Sequence, residues 1–233
     1  MLQQFRYLFY FQGCTSLNAL KKEWSIICKM ISKIKGYIVS NFYHLKHQYF
    51  LKNSKKIIIG SCYTSQKGWF PSDFPEIDIT SIVQCAKYWK KNSKLAFVAE
   101  HVWEHLEQSQ ALAGAECCFY FLKKGGRLRI AVPDGYHPNP EYIEYVKPNG
   151  FGLGSSDHKV LYNIDSLTEV FKKAKFTVIP LEYWDSQSNF KSTDWDSKWG
   201  EISRSAKNDR RNTTQNPLAY TSIIIDCLKD SFA

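Results

Sequence analysis

The sequence predicts an α/β protein in which helices cover a mostly parallel sheet. From Lys56 onward, short apolar runs alternate with segments of helical pattern, an order typical of parallel strands joined by helices. Polar residues also follow several of these runs directly. Because loops leave a parallel sheet at the carboxyl ends of its strands, we expect these residues to meet in one crevice.

The individual elements follow from the same alternation. The predicted strands cover residues 56–60, 68–73, 77–79, 95–99, 127–132, 176–183 and 220–227. Residues 107–122 are predicted to be helical because lysines followed by glycines end the segment, and residues 165–174 form a second predicted helix. Two long polar connections, 134–162 and 184–218, remain; connections of this length are more often functional than idle.

Charge separates an N-terminal extension from the rest of the chain. Residues 1–55 carry nine basic side chains and one acidic one, while the whole chain has a net charge of +9. We therefore predict two parts, a basic aromatic helical extension over 1–55 and the α/β domain over 56–233. An excess of charge confined to a terminal extension argues against nucleic acid as the ligand of the main domain.

A helix is predicted inside the extension. Apolar residues recur there at alternating intervals of three and four: Leu17, Leu20, Trp24, Ile27, Ile31, Ile34 and Ile38. Such a stripe can pack on the main domain as a cap helix. A basic amphipathic helix can equally lie on an anionic membrane surface, self-associate or contact nucleic acid, and the pattern does not choose among these alternatives.

Composition indicates a reducing compartment. The chain has seven cysteines and no C-x-x-C pair, which argues against a disulfide scaffold. It also lacks a signal-peptide pattern and any apolar run long enough to cross a membrane. We expect a cytoplasmic protein, with membrane association through the N-terminal helix left open.

The segment Glu100–Leu106, E-H-V-W-E-H-L, permits two interpretations. His101, Glu104 and His105 have the H-x-x-E-H spacing of zinc hydrolases, which requires the two histidines to share a helix face. The segment follows the apolar run 95–99 directly, however, and so begins at the end of a strand. We therefore expect no metal here and place the segment at the edge of the crevice.

Three features suit a nucleotide-like ligand in that crevice. Gly60 follows the first predicted strand and would allow a ligand to approach the backbone closely. Asp73 ends the second strand, the position whose carboxylate accepts hydrogen bonds from ribose hydroxyls in such folds. Free amides at the first turn would suit a carboxylate or a phosphate.

Taken together, these motifs resemble the class I S-adenosylmethionine-dependent methyltransferases, and within them a bacterial group of predicted methyltransferases. The resemblance covers roughly residues 56–229 and is carried by Ile59-Gly60-Ser-Cys, Gly68-Trp69 with Asp73, Asp78-Ile-Thr80, E-H-V-W-E-H-L, Leu122-Lys-Lys-Gly-Gly126, Arg129-Ile-Ala-Val-Pro-Asp134, Asp157-His158, Arg204-Ser205 with 209–212, and Tyr220-Thr-Ser222. It implies a Rossmann-like, seven-stranded, mostly parallel sheet with an antiparallel last strand.

The resemblance also implies an enzyme that uses S-adenosylmethionine as its cofactor. The residues expected to bind that cofactor are Gly60, Ser61, Cys62, Asp73, Asp78, Ile79 and Glu100. The acceptor would be a small or sugar-like molecule, since proteins of this group are often linked to cell-surface polysaccharide synthesis. A degenerate methyltransferase-like module that binds a partner through the basic extension is the alternative.

Two departures from the family pattern favour that alternative. Cys62 stands where the family's G-x-G turn has its second glycine, and its side chain would crowd a close backbone approach. Only seven residues separate Gly60 from Gly68, too few for a full helix between the first two strands.

If methyl transfer is retained, a base must take the proton of a hydroxyl acceptor. We predict His101 for this role because histidine titrates near neutral pH; His158 and His137 are the alternatives. Guanidinium groups bind carboxylates and phosphates. The residues expected to bind the substrate are Asp134, His137, Arg204, Asp209 and Arg210.

Overall fold

The structure, a computed structural model, describes residues 17–230, except for the side chains of residues 17–24 and 26. The first sixteen residues of the predicted extension therefore lie outside the described residues, as do the side chains of the first three members of its apolar stripe. Contacts divide the chain into two compact units, Met1–Tyr49 and Phe50–Ala233. The predicted boundary at residue 55 stays a prediction.

The described residues form a long helix followed by an α/β unit. In chain order the elements are α1 (Leu17–Asn53), β1 (Lys56–Ile59), β2 (Phe70–Ser72), α2 (Ile82–Cys85), β3 (Lys94–Glu100), α3 (Gln108–Phe121), β4 (Leu122–Pro133), α4 (Pro140–Val146), α5 (Ile164–Lys173), β5 (Thr177–Trp184), β6 (Phe190–Ser192) and β7 (Ser222–Leu228), with single 3-10 turns at Trp103–His105, Ser155–Asp157 and Ser197–Trp199.

The predicted fold class is confirmed. Seven strands form one sheet in the order β2-β1-β3-β4-β7-β5-β6. Strands β1 to β4 are mutually parallel, whereas β7 runs antiparallel to both β4 and β5. The sheet is therefore Rossmann-like, with the last strand of the chain inserted in the reverse direction between β4 and β5.

One predicted strand is wrong. Residues 77–79 are not extended, because turns use their polar groups locally. The N–H of Ile77 donates to the carbonyl of Asp73, and the Asp78 side chain accepts both the N–H and the hydroxyl of Thr80. Such side-chain bonds to nearby backbone compete with strand pairing.

The seventh strand lies instead inside the predicted polar connection 184–218. Strand β6 pairs antiparallel with β5 through a turn in which the Asp185 carboxylate accepts the N–H groups of Gln187 and Asn189. The sequence gives no apolar signal for β6, because its three residues are half-buried or exposed.

The two faces of the sheet are covered differently. Helices α3 and α5 pack on one face, whose core includes Phe97, Trp103, Phe121 and Phe171. On the other face a smaller cluster contains Val98 and Ile202, with Trp195 packed against it. The connection 184–218 therefore serves as the cover of this second face.

The end of α1 is tied to the α/β unit by a buried lysine. Lys94, on β3, is 1% exposed. Its ammonium donates to the carbonyls of Leu51, Lys52 and Ser54 at 2.8–3.2 Å, at a helix end where carbonyls lack partners within the helix. Three donors therefore meet three acceptors. The carbonyl of Leu51 also accepts the indole N–H of Trp89.

A buried ion pair joins the reversed strand to its neighbour. Arg129 and Asp226 face each other in the β4–β7 register, and both are at most 1% exposed. Nε and Nη2 of Arg129 donate to the two Asp226 oxygens at 2.8 and 2.9 Å. Nη1 donates to the carbonyls of Asp196 and Gly200. The pair therefore fixes both β7 and the cover.

We predict that Arg129→Met lowers the free energy of unfolding by about 3 kcal/mol, because it leaves the Asp226 carboxylate buried with only Arg127 as a charged partner. The double variant Arg129→Met/Asp226→Leu should recover part of this loss. Urea denaturation gives both values.

Lys173→Met is the matched control. It breaks the exposed pair with Glu169 and should cost less than about 0.5 kcal/mol. The single variants Arg129→Met and Asp226→Leu are compared with the double variant. If the loss of unfolding free energy in the double variant equals the sum of the losses in the two single variants, Arg129 and Asp226 are not coupled.

Candidate functional site

The crevice begins at the turn after β1, where three residues have left-handed backbone. Gly60, Cys62 and Tyr63 have φ values of 64°, 41° and 69°. A Cβ on Gly60 would lie 2.5 Å from Val102 Cγ2, so glycine is required here by packing on the E-H-V-W-E-H-L segment. At Gly68, in the next turn, an added Cβ would meet no atom within 4 Å.

Asp73 follows β2 at the same edge of the sheet and is exposed. Its Oδ2 accepts the hydroxyl of Ser61, and its Oδ1 accepts the N–H of Cys62 at 3.0 Å. The structure therefore brings together three predicted cofactor residues. The Cys62 N–H is therefore bonded to Asp73, whereas the sequence predicted that the amides of this turn are free to bind a ligand.

Asp78 and Ile79 lie in the loop that replaces the predicted third strand. Asp78 holds the turn through Thr80. Ile79 is 5% exposed and packs on α3, where its Cδ1 would lie 3.2 Å from a Cβ on Gly114. The loop thus presents Asp78 beside a buried apolar anchor.

Glu100 ends β3 and fastens the cover to the crevice. Its two carboxylate oxygens accept the N–H groups of Ser203 and Arg204 at 3.0 and 2.7 Å. Nη1 of Arg204 lies 3.9 Å from Oε1. Two backbone bonds make a structural role for Glu100 evident, and its predicted role in cofactor binding stays a prediction.

His101 follows with φ = 57°, a conformation that is uncommon outside glycine and often found at functional sites. Nδ1 of its ring lies 3.0 Å from Oε1 of Glu104, and Nε2 lies 3.1 Å from the hydroxyl of Ser222. The side chain is 11% exposed. The imidazole is therefore oriented from both sides and reaches solvent by one edge.

Glu104 is the buried partner behind His101. It is 0% exposed, and burial by itself raises the pKa of its carboxyl. Charge and hydrogen bonding from His101 more than offset burial, so that the pKa of Glu104 lies below its usual range. The shared helix face of the zinc-hydrolase interpretation is absent, since Trp103–His105 is a single 3-10 turn.

His158 is the second histidine that approaches Oε1 of Glu104. Its Nδ1 is 2.7 Å from the carbonyl of Val146, and its Nε2 is 4.0 Å from Oε1 of Glu104. The imidazole is 8% exposed, and burial lowers its pKa. The ring edge of His105 faces it at 4.8 Å between centroids.

Two residues predicted to bind the substrate, Asp134 and His137, are buried and bonded to the protein backbone. Asp134 is 0% exposed, and its oxygens accept the N–H groups of Tyr136 and Trp184. His137 stacks on Tyr142 at 3.9 Å and contacts backbone through both ring nitrogens. For these two side chains the geometry favours a structural role over substrate binding, because neither offers a free polar atom to the crevice.

The remaining predicted substrate residues lie in the cover. The side chain of Arg204 is 44% exposed at the crevice edge beside Glu100, and Arg210 is exposed as well. Asp209 is buried, and both its oxygens accept from Arg211 at 2.8 and 2.6 Å. Asp209 therefore orients Arg211, and Arg204 is the residue best placed to meet a ligand.

The sequence assigned no role at the site to two residues beside His101, Tyr220 and Ser222. The guanidinium of Arg211 lies over the ring of Tyr220 at 3.3 Å, and this ring stacks on His101 at 6.3 Å. Ser222 contacts Nε2 of His101. The motif Tyr220-Thr-Ser222 was part of the resemblance, but only the antiparallel pairing of β7 with β4 brings it to the crevice.

The arrangement can move a proton. A buried carboxylate, an oriented imidazole and a hydroxyl form the line Glu104–His101–Ser222, with only the imidazole edge accessible. A base so oriented suits removal of a proton from a hydroxyl or amine. Ser222 is 0% exposed, which argues against its use as a nucleophile. A surface groove of about 820 Å³ between α5 and β5 includes none of these residues.

Comparison with known proteins gives no family assignment. No family model matches the chain, and no curated protein matches it. Similar solved structures include a S-adenosylmethionine-dependent methyltransferase of Thermotoga maritima described as a possible histamine N-methyltransferase, at 14% identity and a TM-score of 0.45, covering 89% of this chain and 99% of that one.

Two further similar structures are methyltransferases. One, from Archaeoglobus fulgidus, has 13% identity and a TM-score of 0.43, covering 81% of this chain and 91% of that one. The other, Haemonchus contortus phosphoethanolamine N-methyltransferase 2 in complex with S-adenosyl-L-methionine, has 11% identity and a TM-score of 0.40, covering 82% and 52%. Likenesses of this size assign no activity or substrate to this chain.

We predict that Asp134 makes stability depend on pH. Burial raises the pKa of its carboxyl to about 6, so the folded state holds a proton that the unfolded chain releases near pH 4. Its contribution is complete below about pH 4 and is lost as pH rises through about 6, a change on the order of 3 kcal/mol. Asp134→Asn should remove this slope from the unfolding free energy.

Glu169→Gln is the control, measured by urea denaturation at each pH. Lys173 lowers the pKa of the exposed Glu169 carboxyl, so this variant should change the slope slightly in the opposite sense. An unchanged slope in Asp134→Asn would contradict the prediction.

Proposed function

We propose that the chain is a S-adenosylmethionine-dependent methyltransferase that acts on a small, sugar-like acceptor. The observation that carries the proposal is the crevice at the carboxyl ends of β1 to β4. An exposed carboxylate, Asp73, stands at one end of it, and the oriented imidazole of His101 stands at the other. Parallel sheets of this kind bind their ligands at that edge.

The residues present fit the ribose end of the cofactor. Asp73 is exposed and accepts one loop donor on each oxygen, and a carboxylate oxygen can accept a second hydrogen bond. The ribose hydroxyls can therefore bind Asp73 without displacing Ser61 or Cys62. Asp78, in the loop anchored by the buried Ile79, would lie on the adenine side. The fit is poorer at the methionine end, where the Cys62 amide already serves Asp73.

The mechanism would depend on alignment and on one proton transfer. Bound S-adenosylmethionine would supply a methyl group on a sulfonium, a good leaving group. His101 would take the proton of the acceptor hydroxyl on Nε2, where an acceptor at the exposed ring edge replaces the contact with Ser222. Glu104, at 3.0 Å from Nδ1, would hold the ring and stabilise the resulting imidazolium.

The chemical class of the methyl acceptor is inferred from Arg204, which lies in the cover. The exposed guanidinium of Arg204 stands at the crevice edge, where it could bind a carboxylate or phosphate of the acceptor. Deprotonation by His101 suits a hydroxyl. A sugar that carries an anionic group satisfies both features, and such acceptors occur in cell-surface polysaccharides.

A non-catalytic binding module is the competing function. Cys62 with its positive φ and the bond from its amide to Asp73 favour it, because both change the turn that should meet the cofactor. Binding of the cofactor separates the two functions.

We predict that S-adenosylmethionine binds the full-length protein and that Asp73→Ala weakens binding by about 10- to 100-fold, since charge-assisted hydrogen bonds contribute about 1.5–3 kcal/mol. Cys62→Gly should bind more tightly than the wild type, because it removes the side chain that would crowd a close approach of the cofactor to this backbone. Isothermal titration calorimetry measures all three proteins.

Asp165→Ala, an exposed acid on α5 away from the crevice, is the control and should bind as the wild type does. No heat of binding at millimolar cofactor would overturn the enzyme proposal. Retained affinity in Asp73→Ala would show that the ribose lies elsewhere.

We further propose that α1 lies on an anionic membrane surface. Residues 17–53 include seven lysines and one acid, so that a second copy of this helix would be repelled and an anionic surface attracted. Between residues 30 and 45 the side chains of Met30, Ile31, Ile34, Tyr37, Ile38, Phe42 and Leu45 are all 46–70% exposed. Within the described part of the chain, no helix combines the length and the apolar character needed to cross a membrane.

We predict that the full-length protein co-sediments with vesicles containing phosphatidylglycerol and does so less with phosphatidylcholine alone or at high salt. Ile34→Asp/Ile38→Asp should reduce binding at least tenfold, because it puts two charges on the apolar stripe. Val83→Asp, at an exposed apolar residue of α2, should bind as the wild type does. Equal binding to both kinds of vesicle, or a stable dimer without vesicle binding, would contradict the proposal.

A further inference from the structure

Polar atoms without partners gather in one place behind the crevice. Among the described residues, six buried side-chain polar atoms lack a hydrogen-bond partner, and three of them are Oε1 and Oε2 of Glu104 and Nδ1 of His105. Nδ1 of His101 approaches Oε1 at 3.0 Å as a poorly aligned partner, whereas Oε2 has no partner among the described residues. A buried carboxylate is costly in this state, and a cation would relieve it.

Three potential metal ligands lie together around Glu104. One ligand atom from each of Glu104, His105 and His158 lies within 4.8 Å of the others. Nδ1 of His158 is held by the carbonyl of Val146 at 2.7 Å, which leaves Nε2 without its proton and aimed at Glu104. Metal-binding histidines are commonly oriented in this way, with the second ring nitrogen bonded to a carbonyl.

We propose that Glu104, His105 and His158 bind one divalent transition-metal ion of the zinc class. Two imidazoles and one carboxylate favour Zn²⁺, Co²⁺ or Fe²⁺ over Mg²⁺ and Ca²⁺, which prefer oxygen. Tetrahedral zinc separates its nitrogen and oxygen ligands by about 3.4 Å. The ligand atoms lie within 4.8 Å of one another, with 4.0 Å between Nε2 of His158 and Oε1 of Glu104, and would move closer together on binding the ion.

This site differs from the H-x-x-E-H interpretation of the sequence in its ligands. His101 lies on the crevice side of Glu104, and His158 from a distant loop takes its place. The sequence led us to expect no metal, because the segment begins at a strand end and not inside a helix. His158 is more than fifty residues from Glu104 along the chain, and its approach is a tertiary feature.

The proposed ion would join two segments that already contact each other. The carbonyl of Glu104 accepts the N–H groups of Lys159 and Val160, and the carboxylate of Asp157 lies 3.3 Å from Nδ1 of His105. Asp157 is 72% exposed and can orient His105 or complete the coordination. The ion would thereby hold the loop 155–160 against the crevice edge, whether or not the chain transfers methyl groups.

The test uses the full chain without a histidine tag, dialysed against chelator. Calorimetric titration with Zn²⁺ should give one site per chain, and Co²⁺ should give visible absorption bands. His105→Ala and His158→Ala should each weaken Zn²⁺ binding at least 100-fold. Near-ultraviolet circular dichroism checks folding, and the half-exposed His105 is the variant less prone to unfold.

Two control variants make the test specific. His44→Ala/His47→Ala removes the exposed histidines of α1 and should leave binding unchanged. His101→Ala should also retain binding, whereas loss in that variant alone would transfer the site to the H-x-x-E-H ligands and overturn the proposal. Absence of Zn²⁺ binding, or binding that survives both His105→Ala and His158→Ala, would overturn it as well.

Discussion

The buried pair of Arg129 and Asp226 sets the geometry on which the rest of the molecule depends. It lies across β4 and β7, where a shift of one residue would turn every side chain of β7 to the opposite face. With this register, Ser222 stands beside Pro133 and reaches His101. The same guanidinium binds the carbonyls of Asp196 and Gly200, and so fixes the cover of the sheet.

The cover of the second face, the connection 184–218, also forms one edge of the crevice. A doubly wound sheet usually carries helices on both faces, but here the connection 184–218 covers one face. Its segment 200–204 packs on Val98. The backbone N–H groups of Ser203 and Arg204 donate to the Glu100 carboxylate, and these bonds place Arg204 at the crevice. The Glu100 carboxylate, which the sequence predicted to bind a cofactor, thus holds the cover in place at the site.

The centre of the crevice is a line of buried polar groups. Ser222, His101 and Glu104 follow one another at about 3 Å, and His158 lies beyond them. One histidine is oriented toward the crevice and the others away from it. Base chemistry at His101 and metal binding at His105 and His158 would share the Glu104 carboxylate, since Nδ1 of His101 and Nε2 of His158 both lie within 4.0 Å of its Oε1.

The sequence by itself determined the alternation of strands and helices, the basic N-terminal helix and the positions of Asp73 and His101 at strand ends, because apolar periodicity and strand termini are local signals. Only the tertiary structure decided that 77–79 is a turn, that β6 forms, that Asp134 and His137 are buried, and that Tyr220, Ser222 and His158 meet the E-H-V-W-E-H-L segment. These outcomes depend on which distant groups satisfy each buried donor and acceptor, and spacing along the chain does not contain that information.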